Sequence, residues 1–156
     1  MGLDQYLYAN VYLSEANFLG EQKQDAFAKV KEALEADSFI CEDFPSLNVN
    51  VKVGQWRKAN QIHNWFVNNV QDGEDNCREY YVEREQLVEL LELCKTVKSG
   101  GKEVAEEELP TVSGCFYGST EIDEYYWQDI DDTVEQLERV LAKVPEGWSF
   151  AYDSSW

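Results

Sequence analysis

Leu3-Asp4-Gln5-Tyr6-Leu7-Tyr8-Ala9-Asn10-Val11-Tyr12-Leu13 decides the fold class, because its apolar residues recur at every second position. Leu7, Ala9, Val11 and Leu13 fall on one side and Tyr6, Tyr8 and Tyr12 on the other, which predicts a strand with both faces engaged. Beyond Pro45, Leu47, Val49, Val51 and Val53 alternate with Asn48, Asn50 and Lys52, predicting a half-buried strand that ends at Gly54. Glu79-Tyr80-Tyr81-Val82 reads as a short strand. Trp148, Phe150 and Tyr152 alternate with Ser149 and Ala151 in a terminal strand expected to pair with the first.

Between these strands the apolar period lengthens to that of a helix. Phe27, Val30 and Leu34 mark an amphipathic helix within Gln22 to Ala36. Ala59, Ile62, Phe66 and Val70 mark a second from Lys58 to Val70, with Trp65 to one side and Asn64 and Asn68 outside. A third starts at Glu83, buries Leu87, Leu90, Leu91, Cys94 and Val97, and stops at Gly100-Gly101. The last starts near Asp123, turns Tyr126, Ile130, Val134, Leu137 and Leu141 inward, and ends before Pro145. Thr120 reads as its N-cap, with Asp123 three residues on. The sum is a single α+β domain over residues 1–156, with about four helices packed on a small, mostly antiparallel sheet of about four strands.

The 156 residues are 44% hydrophobic and 13% aromatic, enough for a core and unlike the apolar-poor makeup of disordered chains. Lys and Arg total 13 against 31 Asp and Glu, so the net charge of -18 argues against a nucleic acid or an anionic membrane as direct partner. The opening residues lack a signal-peptide pattern and no window carries the 18 apolar residues of a membrane span, so a soluble intracellular protein is expected. Cys41, Cys77, Cys94 and Cys115 form no C-x-x-C pair, and four free, mostly buried thiols are expected rather than a zinc site. Asp72, Glu74 and Asn76 alternate like calcium ligands, but Cys77 stands where such a loop needs glycine, so a surface turn is the reading. No cofactor, metal ligand set or catalytic residue is assigned.

The opening Met1-Gly2-Leu3-Asp4 with Tyr6-Leu7-Tyr8 and the block Trp56-Arg57-Lys58-Ala59-Asn60-Gln61-Ile62-His63-Asn64-Trp65-Phe66-Val67 are two of four stretches that carry a resemblance. The others are Glu79-Tyr80-Tyr81-Val82 with Arg84-Glu85-Gln86-Leu87, and Gly118-Ser119-Thr120 with Asp123-Glu124-Tyr125-Tyr126. Together they resemble a family of uncharacterised small phage and prophage proteins. The resemblance implies an accessory protein acting in the cytoplasm of a host bacterium, and no particular activity.

Charge supplies the leading functional expectation. The chain carries net -3 up to Gln71 and net -15 after it, and between Glu103 and Glu138 there are twelve acids and no Lys or Arg. Asp131, Glu135 and Glu138 follow at i, i+4 and i+7, with Glu124 one heptad back, so carboxylates recur about every 5 to 6 Å along one helix face. That spacing is comparable to phosphates on DNA, which predicts a non-enzymatic inhibitor that occupies the basic groove of a bacterial nucleic-acid-binding or defence protein. Glu124, Asp131, Asp132, Glu135 and Glu138, with Tyr125 and Trp127, are the expected contacts, in a field that no internal cation relieves. A second expectation is an aromatic pocket that captures a nucleotide-like small molecule through Arg57, Lys58, His63, Arg84, Tyr81 and Tyr117. A third is a small hydrolase using His63, the only imidazole, with Glu79 or Glu83 as partner. Ser113 to Thr120 carries two glycines ahead of a helix, yet it lacks the Walker lysine and is followed by acids that repel phosphate.

Overall fold

The alternating and helical stretches form an open four-stranded antiparallel sheet with five α-helices, an α+β fold. A computed structural model describes residues 2–156. In chain order the elements are β1 (Asp4–Ser14), α1 (Glu21–Ala33), β2 (Ser46–Arg57), α2 (Asn60–Asn69), β3 (Tyr80–Val82), α3 (Arg84–Gly100), α4 (Lys102–Glu108), α5 (Glu124–Lys143) and β4 (Ser149–Ser155). The sheet order is β2-β1-β4-β3, so the strands nearest the two chain ends are neighbours, as the sequence predicts. Tyr80, Tyr81 and Val82 face Tyr152, Ala151 and Phe150 across the β3–β4 ladder. Two compact units are present, one of Met1–Ala9 with Lys52–Trp156, the other of Asn10–Val51.

In the larger unit, Leu7, Ala9, Trp56, Ile62, Phe66, Val82, Phe150 and Tyr152 share one core with the buried stripes of α3 and α5. Leu87, Leu90, Leu91, Cys94 and Val97 are all buried, the stripe read from α3. A capping box opens that helix, Glu83 N–H donating to Gln86 Oε1 at 2.9 Å. The smaller unit buries Phe27 beneath α1, where Lys31 lies over its ring, and leaves Phe18, Phe39 and Phe44 exposed.

Three sequence expectations are corrected. Strand β2 runs on through Gly54 to Arg57, because that glycine is a place of close approach and not a terminator. A Cβ there would lie 3.2 Å from Leu7 Cβ and 3.3 Å from both Gln136 Oε1 and the Trp56 ring. Helix α3 stops at Gly100-Gly101, as the sequence predicts, and the short helix α4, which the sequence reading did not include, follows at once. Gly101, at φ 78°, donates its N–H to Val97 O to close α3, and its own carbonyl accepts from Ala105 N to open α4. On α5 the buried set is Tyr126, Ile130, Thr133, Leu137 and Val140, with Val134 and Leu141 only half-buried. The face is turned so that Thr133 Oγ1 accepts Trp56 Nε1–H at 2.8 Å. Of the four free cysteines only Cys94 is buried, and burial pushes its thiol up to about 12.

The α5 cap is likewise shifted. Asp123 Oδ1 accepts Tyr125 N–H at 3.0 Å and Tyr126 N–H at 3.2 Å, so Asp123 and not Thr120 is the N-cap. Asp123→Ala is expected to lower unfolding stability by about 1 kcal/mol, and Thr120→Ala to leave it nearly unchanged, in urea denaturation. Equal effects of the two would reassign the cap.

Candidate functional site

Helix α2 is buried nearly all round: Asn60, Gln61, Ile62, His63, Trp65, Phe66 and Val67 are all buried. Its apolar members pack, Phe66 stacking on Tyr152 with ring centres 3.8 Å apart. Its polar members must find partners instead, since an unpaired buried polar group costs about 1 to 3 kcal/mol. Asn60 grips the loop after α4: Nδ2 donates to Tyr117 O and Ser119 O at 3.2 and 2.8 Å, and Oδ1 accepts Val112 N–H at 3.0 Å. Gln5 on β1 reaches the start of the helix, its Nε2 donating to Ala59 O at 3.1 Å.

His63 sits between two side chains. Its Nε2–H donates to Asp75 Oδ1 at 3.0 Å, and its Nδ1 accepts the Tyr152 hydroxyl at 2.8 Å. That tautomer follows from the acceptor-only carboxylate on one side. Burial lowers the imidazole below its ordinary value, and the nearby Asp75 charge only partly opposes this. The contact is therefore a hydrogen bond of a neutral ring, although its geometry also meets that of an ion pair. Asp75 accepts two more donors, the Tyr117 hydroxyl and Trp156 Nε1–H at 2.9 Å. Burial pushes its carboxyl up, but these hydrogen bonds and His63 outweigh it and hold the group below the usual carboxylate range. Burial and the bond to Asp75 raise the Tyr117 phenol well above its ordinary value. A cavity of about 400 Å³ lies beside this cluster, lined among others by His63, Asp75, Cys115, Tyr117 and Trp156. With His63 1% exposed and both ring nitrogens bonded, no imidazole nitrogen faces that space for acid–base work. The partner is Asp75, not the Glu79 or Glu83 of the hydrolase reading.

A second cavity, also about 400 Å³, lies where the end of β2, α2 and the start of α5 meet. Arg57 and Lys58 line it together with Glu121, Asp123, Asp129 and Tyr125. Asp129 Oδ2 accepts Gln61 Nε2–H at 3.1 Å. Burial raises its carboxyl to about 6, the charges of Asp132 and Asp123 add to this, and Gln61 acts the other way.

The expected residues divide accordingly. Glu124, Asp131, Asp132, Glu135 and Glu138 are all exposed on the outer side of α5, opposite its buried stripe. Tyr125 is 77% exposed there. Trp127 is half-buried, edge-on to Tyr126, and belongs to the packing. The field is not free of cations, which corrects the sequence reading: Lys98 pairs with Asp131 at 2.5 Å and Lys95 with Glu138 at 3.1 Å. Both lysines come from α3, outside the acid run in sequence. Among the described residues no Lys or Arg comes within ion-pair distance of Glu121, Glu124, Asp132 or Glu135.

The six residues of the small-molecule reading are dispersed. Arg57 and Lys58 line the α2–α5 cavity, while His63 and Tyr117 line the other. Arg84 donates to the carbonyls of Leu141, Val144 and Pro145 and lies over the Phe150 ring, closing the end of α5. Tyr81 is exposed on the short β3 strand. Asp75, Gln61 and Asp129 are the residues of interest that the sequence reading did not single out, since a loop aspartate and a helix amide give no periodic signal.

No family model, curated protein or solved structure matches the chain, so its site is read from geometry alone. Among the described residues no helix is long and apolar enough to cross a membrane.

Native His63 and native Asp129 respond oppositely to acid. With its pKa lowered, His63 refuses a proton that the unfolded chain accepts, so its contribution to stability is lost as pH falls below about 6.5. With its pKa raised to about 6, Asp129 takes a proton before the unfolded chain does, so it adds stability as pH falls from about 6 toward 4. Between about pH 7 and 4.5, urea denaturation should therefore show Asp129→Asn losing more stability than wild type and His63→Gln losing less. Identical slopes for all three proteins would contradict the two shifts.

Proposed function

We propose that the chain is a non-enzymatic binding protein whose partner is a protein with a basic surface, engaged through the outer side of α5. The carrying observation is Tyr125, 77% exposed among Glu121, Glu124 and Asp132, acids that no Lys or Arg of the described residues pairs. Exposed tyrosine supplies rigid contact area with one hydrogen-bonding group, the kind of side chain on which interface energy concentrates. The surrounding carboxylates and the net charge of -18 steer a cationic surface toward it.

The acid row of α5 favours a bacterial nucleic-acid-binding or defence protein as that partner, and the resemblance to small phage and prophage proteins favours an encounter in the host cytoplasm. Such a protein has a groove built for phosphates, and occupying it blocks the groove by competition. The contact is more local than an unbroken phosphate-like comb, because Asp131 and Glu138 are already balanced by Lys98 and Lys95. Glu124, Asp132 and Glu135 are the carboxylates left to act outward.

Pull-down from bacterial lysate at low salt is expected to recover a basic protein, and recovery should fall steeply as salt is raised. Glu124→Lys with Asp132→Lys and Glu135→Lys should weaken that complex by about tenfold or more while the thermal midpoint is kept. Asp131→Lys with Glu138→Lys should weaken it less, since those acids are shared with lysines. Failure to recover a basic protein at any salt would refute the reading.

A further inference from the structure

The α2–α5 cavity holds acceptors that the fold leaves without donors. Gln61 is 2% exposed, and its Nε2–H is spent on Asp129 Oδ2. Among the described residues nothing donates to Gln61 Oε1 or to Asp129 Oδ1, and both side chains line the cavity. Such a nearly buried amide, pinned at one atom and open at the other, presents a fixed acceptor beside a carboxylate. The ring of Tyr125 stands at the same cavity.

Two adjacent acceptors, one of them charged, ask for a ligand with several donors in a plane and one positive charge. A guanidinium has five donors in a rigid fork, is weakly hydrated and lies readily over an aromatic ring. An ammonium is a compact, strongly hydrated point charge and fits the pair less well. The cavity volume of about 400 Å³ admits such a side chain. Phosphate is disfavoured, because Glu121, Asp123 and Asp129 line the same space. Arg57 and Lys58 also line it. Arg57 leans toward Asp4, with Nε 3.7 Å from Oδ1, and Lys58 runs alongside Gly118, so neither is paired with Asp129.

We propose that this cavity receives the guanidinium of a partner's arginine side chain, Gln61 Oε1 and Asp129 accepting its N–H donors and Tyr125 covering its plane. The assignment rests on the reading of the α5 face as a partner-binding surface and names the anchor within it. Arg57 and Lys58 would then meet the main-chain carbonyls that flank that arginine. Binding follows the ionisation of Asp129, whose environment comprises Asp123 and Asp132 from its own side, Gln61 from α2, Arg57 and Lys58 from the end of β2, and Glu121 from the preceding loop. It should weaken in acid, as the carboxylate takes up a proton near pH 6.

The test titrates the intact protein with N-acetyl-arginine amide and follows backbone amide shifts by NMR. Matching citrulline and lysine amides and free L-arginine are run alongside. Expected are saturable shifts at Gln61, Tyr125, Tyr126 and Asp129 with the arginine amide, about tenfold weaker or absent with citrulline, and weaker binding at about pH 5 than at about pH 7.5. Asp129→Asn, checked for native spectra, should abolish them. An equal response to citrulline, no shifts at these residues, or unchanged binding by Asp129→Asn would overturn the assignment, and the wild-type citrulline comparison stands even if the variant does not fold. Tighter binding of free L-arginine than of the amide would overturn a partner's side chain as the occupant. The two readings separate cleanly. Arginine-amide binding with no basic protein captured from lysate upholds the cavity and sinks the partner. A basic protein held equally by wild type and Asp129→Asn, with the amide inert, does the reverse.

Discussion

Everything in the larger unit follows from one helix being enclosed. A ten-residue helix with Asn60, Gln61 and His63 among its inward groups is stable only if each of them is given a partner, and each partner comes from a different part of the chain. Asn60 takes the loop around Tyr117, Gln61 takes α5 at Asp129, and His63 takes β4 at Tyr152 and the Asp75 loop. Trp56, just before the helix, reaches α5 at Thr133. The block from Trp56 to Phe66 is therefore the place where strand, loop and helix are fastened together, and its polar residues specify which segments meet while its apolar ones supply the driving force. The Asp75 carboxylate is a further knot, since this one anion, on a solvent-facing loop residue, accepts from an imidazole, a phenol and an indole.

Enclosing α2 frees the outer side of α5. Its inward stripe is committed to the core, and its exposed side is tied down by two bridges to α3 and by Arg139, which donates to Val53 O of β2 at 2.9 Å. Lys95 meets Glu138 and Lys98 meets Asp131, a pairing in opposite chain directions that sets the two helices antiparallel. Exposed pairs of this kind contribute about 0 to 1 kcal/mol, so their main effect is on the field: they balance Asp131 and Glu138 and leave Glu121, Glu124, Asp132 and Glu135 negative. Of these, Glu121 lines the cavity together with Tyr125, where the cap at Asp123 also turns the chain.

Much of the fold was legible, and the reason is periodicity. Alternation identified β1 and β4, and the stripe from Leu87 to Val97 identified α3, because burial of one face imposes a repeat that survives in the sequence. What escaped lacks a repeat. Helix α4 has seven residues, four of them glutamate, and one buried position, Ala105. Gly54 and Gly101 look alike in sequence, yet one is small for the sake of a neighbour and the other for its backbone angle. The candidate site was harder still. The acid row and Tyr125 were readable from spacing, but Lys95 and Lys98 approach through tertiary packing, and Asp75 and Gln61 matter only because of what folds against them.

The two unusual protonation states on either side of α2 have a common origin. Burial forces His63 to stay neutral and pushes the Asp129 carboxyl toward neutrality, so the protein hides charge on a base and an acid at once. The difference lies in how each is completed. His63 is saturated by partners within the fold, and opening it would leave Asp75 and Tyr152 short of a bond. Asp129 is completed only halfway, by one amide, beside a cavity that admits a ligand. A desolvated carboxyl with an open acceptor gains more from an incoming cation than a hydrated one does, because the desolvation cost has already been borne in folding. An acidic chain has many carboxylates for solubility, and this is the one placed to turn charge into recognition.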